Sequence, residues 1–389
     1  MGVTKSLKLG MIGGGPDAFI GAIHRIAANL DGKYDLICGA FSSSASKSKE
    51  MGLQLGLNPD RVYESYQEMI DQESKLPENE RVQVLSIVTP NHLHFDPTKQ
   101  ALENGFHVIV DKPITFSLAE ALSLKAILKK SQKRLLLTHT YTGYPMVKEA
   151  KEQIASGNLG KIRKIYVEYP QGWLSKEITN KQADWRTDPK KSGIAGSMGD
   201  IGTHAFNLAE YVSGLTVTKL CADINTVVPG RKLDDDGAVL LKFNNGASGV
   251  LMASQIAAGE ENNIKIRVYG EKGGLQWQQC DANTLLLNYL DQPTQIFRTG
   301  TAYVGSYAQK NSRTPAGHPE GYLEAFANLY QNFANCILSD LNNEKPTKES
   351  LDYPSVEEGI RGMRFIDTVI ASGESTVKWL NVESEHENN

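Results

Sequence analysis

Short apolar runs alternate with longer amphipathic stretches over the first third of the chain. Runs at 7–12, 34–40, 84–88, 107–110 and 134–138 are too short for buried helices and predict strands covered on both faces. The stretches between them, at 19–26, 45–55, 64–71, 96–104 and 118–130, predict helices. Gly105 stands where the fourth of these should end, in the position a left-handed cap favours. The polar segment 71–81 predicts a surface loop. Alternation of this kind builds a doubly wound parallel sheet, whose ligands bind outside the carboxyl ends of the strands.

After residue 138 the pattern changes. A helix at 145–156 closes at Gly157, a strand follows at 161–169, and a long loop carries Trp173, Trp185 and Arg186. A helix is predicted at 197–212, then strands at 220–228, 238–243, 249–257, 264–269, 274–277 and 284–289. Asn245-Gly246 and Gly273-Gly274 are hairpin signals, so this second sheet is expected to be mostly antiparallel. Helices at 319–338 and 355–371 close the chain, the first with a core stripe of Phe326, Leu329, Tyr330 and Phe333, and a polar tail at 383–389 is expected to fray. The reading is α/β: a nucleotide-binding Rossmann domain at 1–138 and an α+β domain with a large sheet at 139–389.

Composition narrows the function classes. With 389 residues, 40% hydrophobic and 22% charged, each domain has material for a full core. A net charge of −4 and the lack of a basic stripe argue against a nucleic-acid partner. No apolar run reaches membrane-spanning length and the N-terminus leads straight into a strand, so a cytoplasmic protein with no membrane partner is expected. Cys38, Cys221, Cys280 and Cys336 are scattered without metal-ligand spacing, so no metal is expected.

Three polar segments carry the chemistry. The first strand runs into Gly13-Gly14-Gly15-Pro16-Asp17-Ala18 and then the helical Phe19-Ile20. In this setting Gly13 permits a tight turn, Gly15 lets backbone approach a pyrophosphate at the helix N-terminus, and small Ala18 lets helix and strand pack closely. The second strand ends at Phe41-Ser42-Ser43-Ser44 with Lys47 beyond, without the acid that usually binds a ribose 2′-hydroxyl. Ser42, Ser43 and Lys47 suit either a 2′-phosphate or a 2′-hydroxyl, and Ser44 also suits a helix cap. The third and fourth strands end at Thr89-Pro90-Asn91-His92 and Asp111-Lys112-Pro113; a lysine at a strand end, followed by proline, is poised for chemistry rather than packing. In Gly199-Asp200-Ile201-Gly202-Thr203-His204, Asp200 and His204 are four apart and share a helix face. A carboxylate there can fix the imidazole tautomer for a general base, although such a pair serves equally as a cap beside a surface histidine.

The segments TPNHLH, DKP and GDIGTH, in that order behind GGGP, resemble the glucose–fructose oxidoreductase/inositol dehydrogenase (Gfo/Idh/MocA) family over nearly the whole chain. Asp111 stands where the family has glutamate. The resemblance implies an NAD cofactor, with NADP as the alternative, and oxidation of a secondary alcohol of a sugar, glycoside or cyclitol. It places Gly13, Gly15, Pro16, Ala18, Phe19 and Ile20 around the pyrophosphate. Thr89, Pro90, Asn91, His94 and Asp111 go to the nicotinamide half. Lys112 lies by the reacting hydroxyl, His204 is the proton acceptor and Asp200 its partner. For the substrate it implies Tyr141, Tyr144, His318 and Tyr322, the last two at a helix start that also suits simple capping chemistry. In the long loop, Trp173 and Trp185 suit stacking on a sugar ring and Arg186 bonding to its hydroxyls, or equally the anchoring of the loop by hydrophobic contacts. The GGGPDAFIGAIHR and HPEGY segments look like the branch of levoglucosan and glucoside 3-dehydrogenases. The family's C-terminal sheet implies a homodimer or homotetramer. Two further family activities fit the same fold: an NAD-dependent glycosidase using transient oxidation, and a non-catalytic sugar or nucleotide sensor.

Overall fold

A computed structural model of the chain describes residues 6–16, 18–178 and 180–382; Asp17 and the expected tail at 383–389 lie outside them. In chain order the first elements are β1 (Leu7–Gly13), α1 (Phe19–Leu30), β2 (Tyr34–Ala40), α2 (Ala45–Gln54), α3 (Tyr66–Lys75), β3 (Val84–Val88), α4 (Phe95–Glu103), β4 (His107–Val110), α5 (Leu118–Ser131) and β5 (Leu135–Leu137). Then come α6 (Pro145–Ala155), β6 (Ile162–Pro170), α7 (Lys181–Arg186), α8 (Pro189–Ser192), a π-helical turn (Met198–Gly202), α9 (Thr203–Ser213), β7 (Val217–Asn225), β8 (Asp236–Phe243) and β9 (Ser248–Ser254). The rest are β10 (Lys265–Gly270), β11 (Gly273–Gln278), β12 (Thr284–Tyr289), β13 (Gln295–Arg298), α10 (Ser306–Lys310), α11 (Tyr322–Leu341), α12 (Val356–Glu374) and β14 (Leu380–Asn381).

Two compact units form. One runs up to Gly143 and resumes at Tyr322–Ile360; the other is Tyr144–Gly321 and continues from Arg361. The first unit holds a parallel sheet in the order β2-β1-β3-β4-β5. Strand order reverses between β1 and β3, the place where such sheets open a ligand crevice. There Gly13 ends β1 beside Val88, its register partner on β3. Every residue of β3 is buried, as a central strand covered on both faces requires. The apolar stripe of α11 packs into this unit: Phe326, Leu329, Tyr330 and Phe333 share a core with Leu7, Leu9, Val84, Ile109 and Leu136. Each such side chain stabilises the unit by roughly 1.5–3 kcal/mol. No local pattern announces that this helix returns to the nucleotide-binding unit.

The second unit is built on a sheet in the order β13-β12-β11-β10-β6-β9-β8-β7-β14. Its pairs are antiparallel except β6 with β9. Side chains of β8 alternate buried and exposed, so one face is core and the other is open. Residues of α12 beyond Ile360 belong here and fix α9: Phe365 stacks on Phe206 with ring centroids 4.6 Å apart, and the Arg361 guanidinium donates to Glu210 Oε1 at 2.6 Å and to the Val217 carbonyl at 2.8 Å.

Several boundaries differ from the sequence expectation for local reasons. The start of the loop expected at 71–81 is helix, because α3 runs to Lys75 behind an N-cap in which Ser65 accepts from the Glu68 amide. The helix expected from Pro319 begins at Tyr322, so Pro319 is not its first residue; the buried Glu320 carboxylate instead accepts from the Arg313 and Thr314 amides. The helix expected at 197–212 opens as the π-helical turn, and β13, α10 and β14 are too short or too peripheral for periodicity to show. Among the described residues no helix is long and apolar enough to cross a membrane, no cluster of His, Cys, Asp and Glu could hold a metal ion, and the four cysteines are free thiols.

Candidate active site

The glycine turn ending β1 is shaped for close backbone approach. Gly13 has φ +88°, and a Cβ there would lie 2.9 Å from the Val88 carbonyl oxygen. A Cβ on Gly15 would lie 2.8 Å from the Phe41 carbonyl oxygen. Ala18 is the N-cap of α1 and offers no side-chain cap, and the first turn carries no acid, so the leading amides at Phe19 and Ile20 suit an anion. The Ile20 side chain packs on the core, whereas Phe19 is 61% exposed. A close contact between α1 and the glycine turn is made at Gly21, where a Cβ would run into the Cα of Gly14. A glycine inside a helix costs about 1 kcal/mol against alanine, which is itself a signal of such a contact. Arg25 braces the turn, donating from Nη1 to the Gly14 carbonyl at 2.9 Å; burial lowers its pKa.

Phe41 at the end of β2 is buried, while Ser43 and Lys47 are exposed. Ser42 Oγ accepts from the Ser44 amide at 3.2 Å. Ser44 occupies the N-cap of α2 but makes no capping bond; its hydroxyl lies 3.0 Å from Ser46 Oγ. Beyond β3, the Thr89 hydroxyl donates to the Leu93 carbonyl at 3.0 Å, Pro90 is exposed and Asn91 is buried. His94 is buried with Nδ1 2.6 Å from the Pro113 carbonyl and Nε2 2.8 Å from the Thr89 carbonyl. Both nitrogens are thus spent on backbone. The ring ties the loop after β3 to the loop after β4. Burial pulls its pKa down against the opposing pull of Asp111 and the two carbonyls.

Beyond β4, Asp111 accepts from the Thr138 hydroxyl at 2.6 Å and faces His24 Nε2 at 3.9 Å. Burial alone would raise the Asp111 pKa, but His24, Lys112 and Thr138 together hold it well below the carboxylate range. Lys112 follows, half-buried, with a cis bond to Pro113. Tyr141 is buried in the same unit; the Tyr322 hydroxyl has its pKa pushed up by burial and then by Tyr141 and Asp111.

Two histidines of this unit give a pH signature. Burial, followed by the charge of Lys112, pushes His139 down to about 3; burial, followed by Lys133, does the same to His107, down to about 3. The folded state keeps both neutral, whereas the unfolded chain protonates them below about 6.5. Unfolding therefore takes up protons. Stability should fall as pH drops below the unfolded value and keep falling toward the folded one, each histidine contributing up to about 1.4 kcal/mol per pH unit. The depressed Asp111 adds to this in the same direction at more acid pH. The urea midpoint at pH ~4.5 is expected well below that at pH ~7; equal midpoints would show that the two rings are not held neutral.

In the second unit, Asp200 lies in the π-helical turn and His204 is the second residue of α9. Asp200 Oδ2 accepts from Arg186 Nε at 3.0 Å and from Gln255 Nε2 at 2.9 Å. His204 is 8% exposed, and its ring is 6.3 Å from that of Tyr169. The Arg186 guanidinium engages Asp200 through Nε and lies 4.2 Å from the Trp185 ring and 5.6 Å from that of Trp173. Trp173 donates from Nε1 to Gln171 at 2.9 Å. Tyr144 is buried, its ring 5.2 Å from Trp277, and His318 is exposed, with Nδ1 3.3 Å from the Pro315 carbonyl. Sequence reasoning missed Asp234, whose carboxylate accepts from the Met198 amide at 2.7 Å and Ser197 Oγ at 3.1 Å. It fixes the entry to the π-helical turn from two residues before β8, a distance in sequence that no spacing rule reaches. Gln255 escapes for the same reason.

Residues 7–139 match the family described as oxidoreductase family, NAD-binding Rossmann fold, and residues 147–276 match the GFO/IDH/MocA C-terminal domain. The chain belongs to the Gfo/Idh/MocA oxidoreductase family. The oxidoreductase YfiI of Bacillus subtilis (strain 168) is 32% identical over 384 residues, spanning 97% of each chain. Levoglucosan dehydrogenase of Pseudarthrobacter phenanthrenivorans is 26% identical over 247 residues, 58% of this chain and 62% of its own. An inositol dehydrogenase homolog from Azotobacter vinelandii, solved with NADH and myo-inositol, is 31% identical with a TM-score of 0.88, covering 97% of this chain and 98% of that one. The first unit is therefore an NAD-binding Rossmann domain, and the uncapped helix start beside Gly13 and Gly15 fits a dinucleotide.

Proposed function

We propose that the protein is an NAD-dependent dehydrogenase that oxidises a secondary alcohol of a sugar, glycoside or cyclitol. The observation that carries this reading is Asp200, a carboxylate already held by two donors, one helical turn before a largely buried imidazole. His204 accepts the hydroxyl proton of the substrate, and Asp200 supports the charge that the ring acquires. Lys112, at the end of β4, donates to the oxygen as negative charge develops. The nicotinamide, when bound, accepts the hydride. Gly13 and Gly15, with Pro16 and the backbone of Ala18, Phe19 and Ile20, hold the pyrophosphate, and Thr89, Pro90, Asn91 and His94 line the nicotinamide half. Tyr141, Tyr144, Trp173, Trp185, His318 and Tyr322 remain the candidates for substrate contact. Similarity to levoglucosan dehydrogenase and to the inositol dehydrogenase homolog supports a sugar or cyclitol as the substrate class.

A panel of cyclitols, free sugars and glycosides, followed by absorbance of the reduced nicotinamide, tests the reading. At least one should be oxidised, with a modestly higher kcat/KM for NAD than for NADP, because nothing at Ser42, Ser43 or Lys47 repels a 2′-phosphate. A clear NADP preference would reverse the cofactor assignment and make those three residues its readers. Glycoside cleavage with no net NADH would point to the glycosidase chemistry, and binding without turnover to a sensor. The same preparation reads the assembly. The open sheet face exposes Leu240, Met252, Tyr269 and Ile296 on strands in register, which supports a homodimer or homotetramer formed through it. A monomer by light scattering would exclude that.

A further inference from the structure

A polar chain runs through the interior of the first unit, where a Rossmann core needs only apolar contacts. His24, on α1, is fully buried, with its ring edge-on to Phe326 at 4.7 Å. Its Nδ1 lies 2.7 Å from the Tyr330 hydroxyl and 3.3 Å from Ser86 Oγ, and those two hydroxyls are 3.0 Å apart. The three groups come from α1, β3 and α11. Its Nε2 has no hydrogen-bond partner among the described residues and faces the Asp111 carboxylate at 3.9 Å. A Tyr330 hydroxyl that donates to Nδ1 leaves the ring proton on Nε2, pointed at Asp111. Asp111 itself accepts from the Thr138 hydroxyl, just past β5, at 2.6 Å, while the His24 ring faces it from below at a longer, purely electrostatic distance. The carboxylate immediately before Lys112 is thus reached from two different elements.

We propose that His24 is a positioning residue: it holds the Asp111 carboxylate from beneath, and through it the strand-end turn from which Lys112 projects. The inference rests on the dehydrogenase reading only for the use made of Lys112; the positioning itself is a property of the first unit. A buried imidazole and carboxylate stabilise a fold no better than apolar residues of the same volume, so stability alone does not account for the pair. His24 also lies on the helix that opens at the glycine turn, so one element carries both the pyrophosphate end and the support of Lys112. Besides Asp111, the titratable groups facing His24 are Tyr330 from α11, with Tyr34 from β2 donating to the Tyr330 carbonyl, and His94 at the start of α4; Lys112 acts on Asp111 from its other neighbour position.

The test uses the full chain with His24→Phe, which fills the volume without a donor, and His24→Gln, which keeps an N–H. Tyr330→Phe is the third variant and leaves the packing intact. The readout is the rate of competitive acetylation of the Lys112 amine at fixed pH, with exposed Lys47 as internal reference. Loss of the ring that faces Asp111 frees the strand-end turn, so His24→Phe should change the Lys112/Lys47 labelling ratio by about twofold or more. His24→Gln should restore most of the parent value, which a merely structural role would not require. Turnover on the identified substrate should drop on the order of tenfold in His24→Phe with KM little changed, short of the ~10²-fold that gross misplacement of a catalytic group can cost. Folded His24→Phe and Tyr330→Phe proteins that label Lys112 as the parent does would overturn the proposal. If no alcohol is oxidised by the parent, the dehydrogenase reading falls, yet the labelling result still decides the role of His24.

Discussion

Replacing His204 with alanine should lower turnover by about 10²–10⁴-fold, the contribution of a positioned general base, while NAD binds as in the parent. Hydride can leave the alcohol carbon only as its oxygen loses a proton, and water at neutral pH is a poor acceptor. His204 suits the task because the neighbouring Asp200 is fixed by Arg186 and Gln255, and Asp234 anchors the turn that carries it. Alanine is the best helix former, and α9 keeps its Phe206–Phe365 stack, so the variant should fold. The acid limb of the parent pH–rate profile should fall because the imidazole must be neutral to accept a proton, and that limb should flatten in the variant. Single-turnover kinetics with saturating NAD separate this from a cofactor defect. A folded, NAD-bound variant within a few-fold of the parent would remove His204 as the base and leave Lys112 or Tyr141 as the next candidate.

What the sequence made legible follows from what is local. Strands 84–88 and 107–110 stand where the apolar runs put them, because short runs dominated by Val, Ile and Leu, interrupted only by Ser86 and opened by His107, bury themselves as central strands. The polar residues at their ends were legible for the same reason: a strand end at Lys112 or Thr89 is fixed once the strand is. The supports are not local. Asp234 reaches Met198, Gln255 reaches Asp200, and Tyr330 reaches His24, each across an intervening stretch that periodicity cannot fold. Arg186 shows the limit from the other side. Its place among two tryptophans suggested a sugar clamp, yet a guanidinium also suits a carboxylate, and only the folded chain shows that Asp200 is the partner it engages. Gly21 could have been found: a glycine in the first turn of an amphipathic helix is a cost that a close contact explains, and the contact with Gly14 is that explanation.

The turn itself predicts the second large effect. Gly15→Val should weaken NAD binding by about 10²-fold or more, equivalent to roughly 2.7 kcal/mol. The reason is space rather than backbone conformation. Even a Cβ at this position meets the Phe41 carbonyl oxygen at 2.8 Å, so the branched side chain must be pushed out over the uncapped start of α1, where a pyrophosphate would bind. Overpacking against β2 should also cost about 1–3 kcal/mol of stability, so binding must be measured well below the melting temperature. Gly21→Ala approaches the same turn from the other side, through Gly14, and should weaken binding without placing any atom near the phosphates. Gly362→Ala is the control: nothing lies within 4 Å of its Cβ position, and the helix interior should tolerate or prefer alanine. Calorimetric titration with NAD, alongside thermal melting of the same samples, separates loss of the site from loss of the fold. Parent-like affinity in a folded Gly15→Val protein would place the pyrophosphate elsewhere, and the Gly13–Ala18 turn would then be a packing device of β1 and α1 alone.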